Sequence, residues 1–368
     1  MKRTTGIVAA GTLGLALALA GCGSDDNGGS GNESSEGGGG AEGGEAGKIG
    51  VILPDTKSSV RWESADRPAL EAAFDEAGVE YSIQNAEGSA DTMTTIADSM
   101  LADGVTVLAI VNLDSESGAA IQEKAASQGV ATIDYDRLTL GGSAEYYVSF
   151  DNNVVGELQG QGLADCLGDT EANLIYLNGS PTDNNATLFS AGAHSVLDEI
   201  STYTAVGEQA VPDWDPDQAV TIFEQLYTQA DGDVQGVYAA NDGLAGAVIS
   251  ILEKNGVNGE VPVTGQDATV EGLQNILAGD QCMTIYKSAT EEAGALAEAA
   301  IALATGGEAE TNGTTEDSEG GRDVPSILLE PVSITAENVG DVIDDGGQSA
   351  ADVCTGEFAQ LCEDAGIS

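Results

Sequence analysis

From Lys48 onward, short apolar runs alternate with helix-length segments, and this alternation restricts the fold more than any other feature of the chain. KIGVIL (48–53) is an apolar strand that ends at the turn residues Pro54-Asp55. Residues 65–77 then place Ala65, Leu70, Ala73 and Phe74 at helical spacing, Gly78 stops the helix, and VEYSI follows as a strand. The cycle continues through helix 90–102, strand 105–111, helix 116–128, strand 130–135 and strand 146–151. It restarts with helix 153–166, strand 173–179, helix 184–199, strand 202–207, helix 216–230, strand 234–239, helix 243–255, VPVTG (261–265), helix 269–278, strand 282–287 and the alanine-rich helix 289–305. Strands separated by about 10–15 helical residues give an α/β fold, a parallel sheet with helices on both faces and right-handed crossovers. Residues 306–323 are polar and glycine-rich and read as a surface loop; SILLEPVSIT and a helix near 336–344 close the chain.

Two successive α/β units of similar size suggest two lobes, with the chain passing between them more than once; a single large doubly wound domain is the alternative. Either way a ligand belongs beyond the carboxyl ends of the strands. Hydrophobic residues make up 41% of the 368, enough for two cores, and aromatics only 4%, so those cores should be aliphatic.

Charge excludes one class of partner. Eleven Lys and Arg face 62 Asp and Glu, a formal net charge of -51. Such a surface repels nucleic acid and anionic lipid. Salt screens its self-repulsion, which fits either a saline habitat or a merely acidic lineage.

The first 21 residues read as a signal peptide: Lys2 and Arg3, then an Ala- and Leu-rich run too short for a comfortable span, ending Leu19-Ala20-Gly21-Cys22. That tetrapeptide resembles a bacterial lipobox, which implies cleavage before Cys22 and lipid on its sulfur; plain secretion with an incidental cysteine is the alternative. Residues 22–47 add Gly, Ser, Asn, Asp and Glu with almost nothing apolar, and read as a disordered leash. Together these place the folded part outside the cytoplasm, lipid-anchored to the outer face of the cell membrane.

Cations are scarce, yet three fall at or just after strand ends: Arg61, Arg137 and Lys287. Asp136, Asp151, Asn184, Asn185, Asn241, Asp242 and Asp267 occupy comparable positions. Vicinal hydroxyls both donate and accept; a carboxylate accepts from them, an amide does both, and a guanidinium donates through a fork. Each Asp or Asn there could instead cap a helix, a reading as strong as ligand contact for Asp151 and Asn241. Trp62 and Trp214, the two tryptophans, lie in loops beside helix starts, where an indole suits the C–H face of a sugar ring or simply a core.

No phosphate-binding glycine motif follows the first strand, His194 is the single histidine, and no EF-type spacing occurs. The expectation is a protein without cofactor, metal or catalytic residues, acting as a monomer. With Cys22 assigned to lipid, Cys166, Cys282, Cys354 and Cys362 permit two disulfides. Cys354 with Cys362 is the first choice, which leaves Cys166 with Cys282 by elimination.

Several stretches together resemble the substrate-binding proteins of sugar ABC importers, in the xylose-binding and multiple-monosaccharide-binding branch: PDTKSSVRW (54–62), YDRL (135–138), SFDN (149–152), GSPTDNNA (179–186), WDP (214–216), NDGLAG (241–246), GQDA (265–268), TIYK (284–287) and VPSILLEPVSIT (324–335). The resemblance spans roughly residues 48–368. It implies a type I periplasmic-binding-protein fold with three hinge crossings, one lobe from 48–150 and 287–324 and the other from 151–286 and 325–368. It further implies a monosaccharide such as xylose, glucose, galactose or arabinose in the cleft, held by Arg61, Trp62, Asp136, Arg137, Asn184, Asn185, Trp214, Asp242, Asp267 and Lys287; strand-end position adds Asn241. The closed form would dock on a membrane permease, or alternatively on a chemotaxis or sensor-kinase receptor.

Overall fold

The computed structural model describes residues 47–367; the expected signal peptide, the lipidation site at Cys22 and almost all of the leash lie outside the described residues. Twelve strands occur among the described residues: β1 (Lys48–Leu53), β2 (Tyr81–Asn85), β3 (Val105–Ile110), β4 (Ala131–Tyr135), β5 (Tyr146–Phe150), β6 (Ala172–Asn178), β7 (Tyr203–Ala210), β8 (Gly236–Ala239), β9 (Thr284–Tyr286), β10 (Gly313–Asp317), β11 (Arg322–Leu329) and β12 (Val332–Ile334). They build two α/β lobes. The first holds a seven-stranded sheet in the order β10-β11-β5-β4-β3-β1-β2, parallel except for the β10/β11 pair. The second holds β7-β6-β8, all parallel, extended by a parallel bridge from Val237 to Val263 and accompanied by the antiparallel pair β12-β9.

Alternation along β1 shows why its sequence is uniformly apolar. Ile49, Val51 and Leu53 point to one face, where they meet Leu70, Phe74 and Leu296. Ile52 points to the other, into Met93, Ile96, Leu108 and Ile110. Gly50 shares that second face because a Cβ there would lie 2.9 Å from Met100 Sδ. The second lobe has its own core around Leu174, Tyr176, Phe223, Val248 and Leu252. The cores are mainly aliphatic, but the few aromatic residues are concentrated inside them: Tyr135, Tyr147, Tyr176, Tyr238, Phe74, Phe150, Phe189 and Phe223 are all essentially inaccessible.

The chain crosses between lobes three times, at Asp151, at Lys287-Ser288 and at Glu330-Pro331. The third crossing comes after Leu329 and not after residue 324, because Ser326–Leu329 continue to pair in parallel with Tyr147–Phe150. The expected surface loop 306–323 also needs correction. Gly313–Asp317 and Arg322–Leu329 form a hairpin that supplies the outer edge of the large sheet. Its polarity misleads because an edge strand faces water on one flank and carries charge for solubility.

Cys166 and Cys282 are bonded across a Cα separation of 6.5 Å, tying the helix Asn152–Leu167 to the segment entering β9. Cys354 and Cys362 are bonded with Cα atoms 5.7 Å apart. The second bridge fastens the tail, whose Ile334, Val339, Val342 and Val353 pack on Leu273 and Ile276 of the helix Val270–Ala278. No described helix is long and apolar enough to cross a membrane.

Candidate functional site

In the first lobe the strand order around β2-β1-β3-β4 reverses between β1 and β3, and in the second the order β7-β6-β8 reverses at β6. Loops leaving the carboxyl ends at these two switch points face each other, and a narrow cleft lies between them.

The first lobe supplies charge. After β1 the chain makes one π-type turn, Trp62–Asp66, whose wide pitch brings Asp66 under Arg61. Arg61 donates to Asp66 through Nε (2.9 Å) and Nη2 (2.7 Å), and to Asp136 through Nη1 (3.3 Å). Its Nη2 also bonds Glu292, which rises from the helix Ala289–Ala304 immediately after the second crossing. Tyr135 donates to Asp66 from behind. Burial alone would lower the Arg61 pKa, but Asp66, Glu292 and Asp136 together raise it, so the group is fixed as a cation. Burial pushes the Glu292 carboxyl up to about 8 against the pull of Arg61. Asp136 shows the opposite balance: burial would raise it, yet Lys287, Arg61 and Arg137 hold it below the usual carboxylate range.

Arg137 is held from both lobes. Its Nη1 donates to the Asn112 carbonyl (3.2 Å), its Nη2 to Ser58 Oγ (3.3 Å), and its Nε lies 3.0 Å from Asp183 of the second lobe. Trp62 is buried, donates from Nε1 to Ser58 Oγ (3.1 Å) and carries the Arg61 guanidinium 4.5 Å from its ring centre.

The second lobe supplies amides and caps. Asp183 caps the helix Asn184–Leu197 through the Asn185 N–H and also accepts from Trp214 Nε1 at 3.1 Å. Burial raises its pKa, with Arg137 opposing. Asn185 reaches across to the Asp136 carbonyl (2.8 Å) and Asn152 Nδ2 (3.0 Å). Asn241 caps the helix Asp242–Asn255 while its Nδ2 donates to the Ser58 carbonyl of the other lobe (3.3 Å). Lys287, at the second crossing, sits 3.6 Å from Asp267 and 3.9 Å from Asp136, joining the two halves. Three cleft residues hold left-handed backbone that non-glycine residues seldom adopt: Asp136 (φ 59°), Trp214 (φ 55°) and Asp267 (φ 92°). Such strain persists where the surroundings force a side chain into a working position.

Nine of the eleven residues anticipated from sequence therefore line one cleft: Arg61, Trp62, Asp136, Arg137, Asn185, Trp214, Asn241, Asp267 and Lys287. Asn184 and Asp242 do not. Asn184 is the first residue of its helix and only half-buried, outside the lining. Asp242 is buried away from the cleft and accepts from Thr269 N (2.8 Å), Gln281 Nε2 (2.9 Å) and Thr284 Oγ1 (2.8 Å), with burial lifting its pKa to about 7. Asp151 caps the helix Asn152–Leu167. Ser58, Asp183, Phe189 and Gln266 line the cleft without having been singled out. Asp183 had a legible signal, as a carboxylate at a helix start inside GSPTDNNA. Glu292 had another, as a charge one helical turn before the core residue Leu296.

Among the described residues no cluster of three His, Cys, Asp or Glu side chains is placed to hold a metal ion. His194 lies on the helix Asn184–Leu197, stacked 4.2 Å from Tyr176 and paired with Asp198 and Glu208, away from the cleft.

The periplasmic binding protein domain family matches residues 49–308 of this chain. The D-xylose-binding periplasmic protein of Escherichia coli is 35% identical over 81% of the chain and 90% of its own length. The multiple sugar-binding periplasmic receptor ChvE of Rhizobium radiobacter is 32% identical over 84% and 92%. In three dimensions the chain is similar to a carbohydrate transporter solute binding protein from Chloroflexus aurantiacus solved with D-glucose, at a TM-score of 0.76 and 30% identity, covering 83% of this chain and 97% of that one.

Proposed function

The chain belongs to the periplasmic binding protein domain family, and from that premise we propose that it captures one neutral monosaccharide outside the cytoplasm and delivers it to an ABC import permease. The observation that carries this reading is the cleft itself: two indoles, three cations and several carboxylates and amides from both lobes converge on one narrow space. A neutral ligand fits because each cation already has a carboxylate beside it, Arg61 with Asp66 and Asp136, Arg137 with Asp183, and Lys287 with Asp267. No cation is left over for an anionic group, whereas hydroxyls can donate to the carboxylates and accept from the guanidinium edges. The ring would lie between Trp62 and Trp214. Its polar rim would meet Asp136, Arg137, Asn185, Asn241, Asp267 and Lys287, replacing water and tying one lobe to the other. The relatives' ligands support an aldopyranose, a pentose or a hexose.

The finer placement follows from the same reading. The protein would be monomeric and held at the outer face of the membrane through lipid on Cys22. Detergent partitioning that is lost in Cys22→Ser supports the anchor; equal partitioning of both forms contradicts it. Thermal shift with D-xylose, D-glucose, D-galactose and L-arabinose tests the ligand class. A clear rise in midpoint with at least one of them is expected, and unchanged midpoints with all four would overturn the reading.

A further inference from the structure

Most amides in and around the cleft are engaged with the protein itself. Asn185 accepts at Oδ1 from Asn152 Nδ2 (3.0 Å) and the Tyr147 hydroxyl (3.3 Å), and donates from Nδ2 to the Asp136 carbonyl (2.8 Å). Asn241 accepts from the Leu244 N–H (2.9 Å) and donates to the Ser58 carbonyl (3.3 Å). Each therefore has only a remaining N–H or lone pair for a ligand. Elsewhere in the interior Asn112, Gln122, Asn152, Gln159 and Gln281 are buried too, and every one donates from its side-chain nitrogen to another protein group.

Gln266 is the exception. It lines the cleft and is only 3% exposed, yet its side chain forms no hydrogen bond with any described residue. Its Oε1 is closed off from solvent with no donor in reach. The backbone on either side is fixed, so the amide is held where it is. The Gly265 carbonyl accepts from Gln159 Nε2 (3.0 Å) and the Ile285 N–H (3.2 Å), the Gln266 carbonyl accepts from the Asp242 N–H (3.0 Å), and the Asp267 N–H donates to the Ile285 carbonyl (2.8 Å). A polar group buried without a partner is unfavourable, and an apolar side chain would fill the same place at less cost. Such a group is retained where something outside the protein supplies the partner. An amide with both ends unused can donate to one hydroxyl and accept from another, which suits a neutral ring carrying several hydroxyls.

We propose that Gln266 is a specificity-determining residue whose side-chain amide hydrogen-bonds ring hydroxyls of the bound sugar. This rests on the monosaccharide reading of the cleft.

Calorimetry of the parent protein, Gln266→Met and Gln266→Leu tests it, with the best-binding aldose and its series of monodeoxy analogues, beside thermal unfolding of each protein without sugar. Both variants should bind the aldose roughly tenfold more weakly, as expected for the loss of hydrogen bonds from one neutral side chain. The parent should discriminate against at least one monodeoxy analogue by about tenfold, and in the variants that discrimination should shrink to within about twofold. Without sugar both variants should unfold at or above the parent's midpoint, because an apolar chain replaces an unpartnered amide. Aldose affinity within about twofold of the parent's in both variants refutes the assignment. So does weaker binding with every discrimination ratio unchanged, or a lowered midpoint in both variants, either of which marks a structural role. If the parent binds no aldose at all, the reading of the cleft fails and Gln266 falls with it.

Discussion

The two lobes reach the same cleft by different chemistry. The first contributes Arg61, Asp136 and Arg137, held by a buried ion network whose members Asp66 and Glu292 are wholly inaccessible. The second contributes Asp183, Asn185 and Asn241, where Asp183 and Asn241 are helix caps and Asn185 is the first-turn residue that Asp183 caps. In the first lobe, binding groups and fold stability share the same bonds, so removing one strands charge in the interior. In the second, Asn185 and Asn241 are buried but neutral, so losing either leaves an unmet amide partner and no stranded charge. Mutations should therefore damage stability and affinity together on one side and separate them on the other.

The strongest attempt to break that contrast is Arg61→Ala. It leaves Asp66, Asp136 and Glu292 without their shared cation, and chemical denaturation should show a loss of about 3–5 kcal/mol. A loss under about 1 kcal/mol would remove the contrast at its root. Arg137→Ala comes next. Its contacts span the lobes, so sugar affinity measured by calorimetry should fall by about 2–5 kcal/mol, and a change below about 0.5 kcal/mol would defeat its assignment.

A pH series sharpens the comparison without deleting a contact. Unfolded, Glu292 releases its proton near 4.5; folded, burial holds the proton until about 8. Between those values the folded state binds the extra proton, so this group's contribution to stability declines as pH rises from about 4.5 to about 8. Glu292→Gln keeps an acceptor for Arg61 and removes the titration. Its unfolding midpoint should fall less steeply than the parent's across that window, and identical slopes would contradict the raised value. In the second lobe, Asn241→Ala should cost only about 1 kcal/mol of stability, the usual worth of a cap, with a greater loss of sugar affinity. The smallest effect is expected from Asn184→Ala, within about 0.5 kcal/mol in both stability and affinity, because its side chain lies outside the cleft.

What the sequence disclosed follows from which signals are local. The βα rhythm marked β1 to β8, most plainly where a strand buried on two faces is apolar, as in IGVIL (49–53) and VLAI (107–110). The edge hairpin Gly313–Leu329 carried no such pattern, since GTTED pairs with one neighbour and faces water on the other flank. Strand-end position brings Arg61, Arg137 and Lys287 into one cleft, because a βα fold delivers those ends to one place. The same rule overreached at Asp242, which lies one residue beyond Asn241 and turns back to serve Thr269, Gln281 and Thr284. Neighbouring residues at a helix start point in different directions, and only the fold decides which one meets the cleft. Spacing can mark Glu292 as a charge on an apolar helix face, but it cannot name its partner, Arg61, 231 residues away.

In the bound state a single uncharged ring would join a charged lobe to an amide-bearing one. A crystal structure of the protein with its best-binding aldose tests this most directly. It should place the ring between Trp62 and Trp214, with hydroxyls within hydrogen-bond distance of Arg137 and Asp136 from the first lobe and of Asn185, Asn241 or Asp267 from the second. A sugar seated on one lobe alone, or away from both indoles, would contradict it.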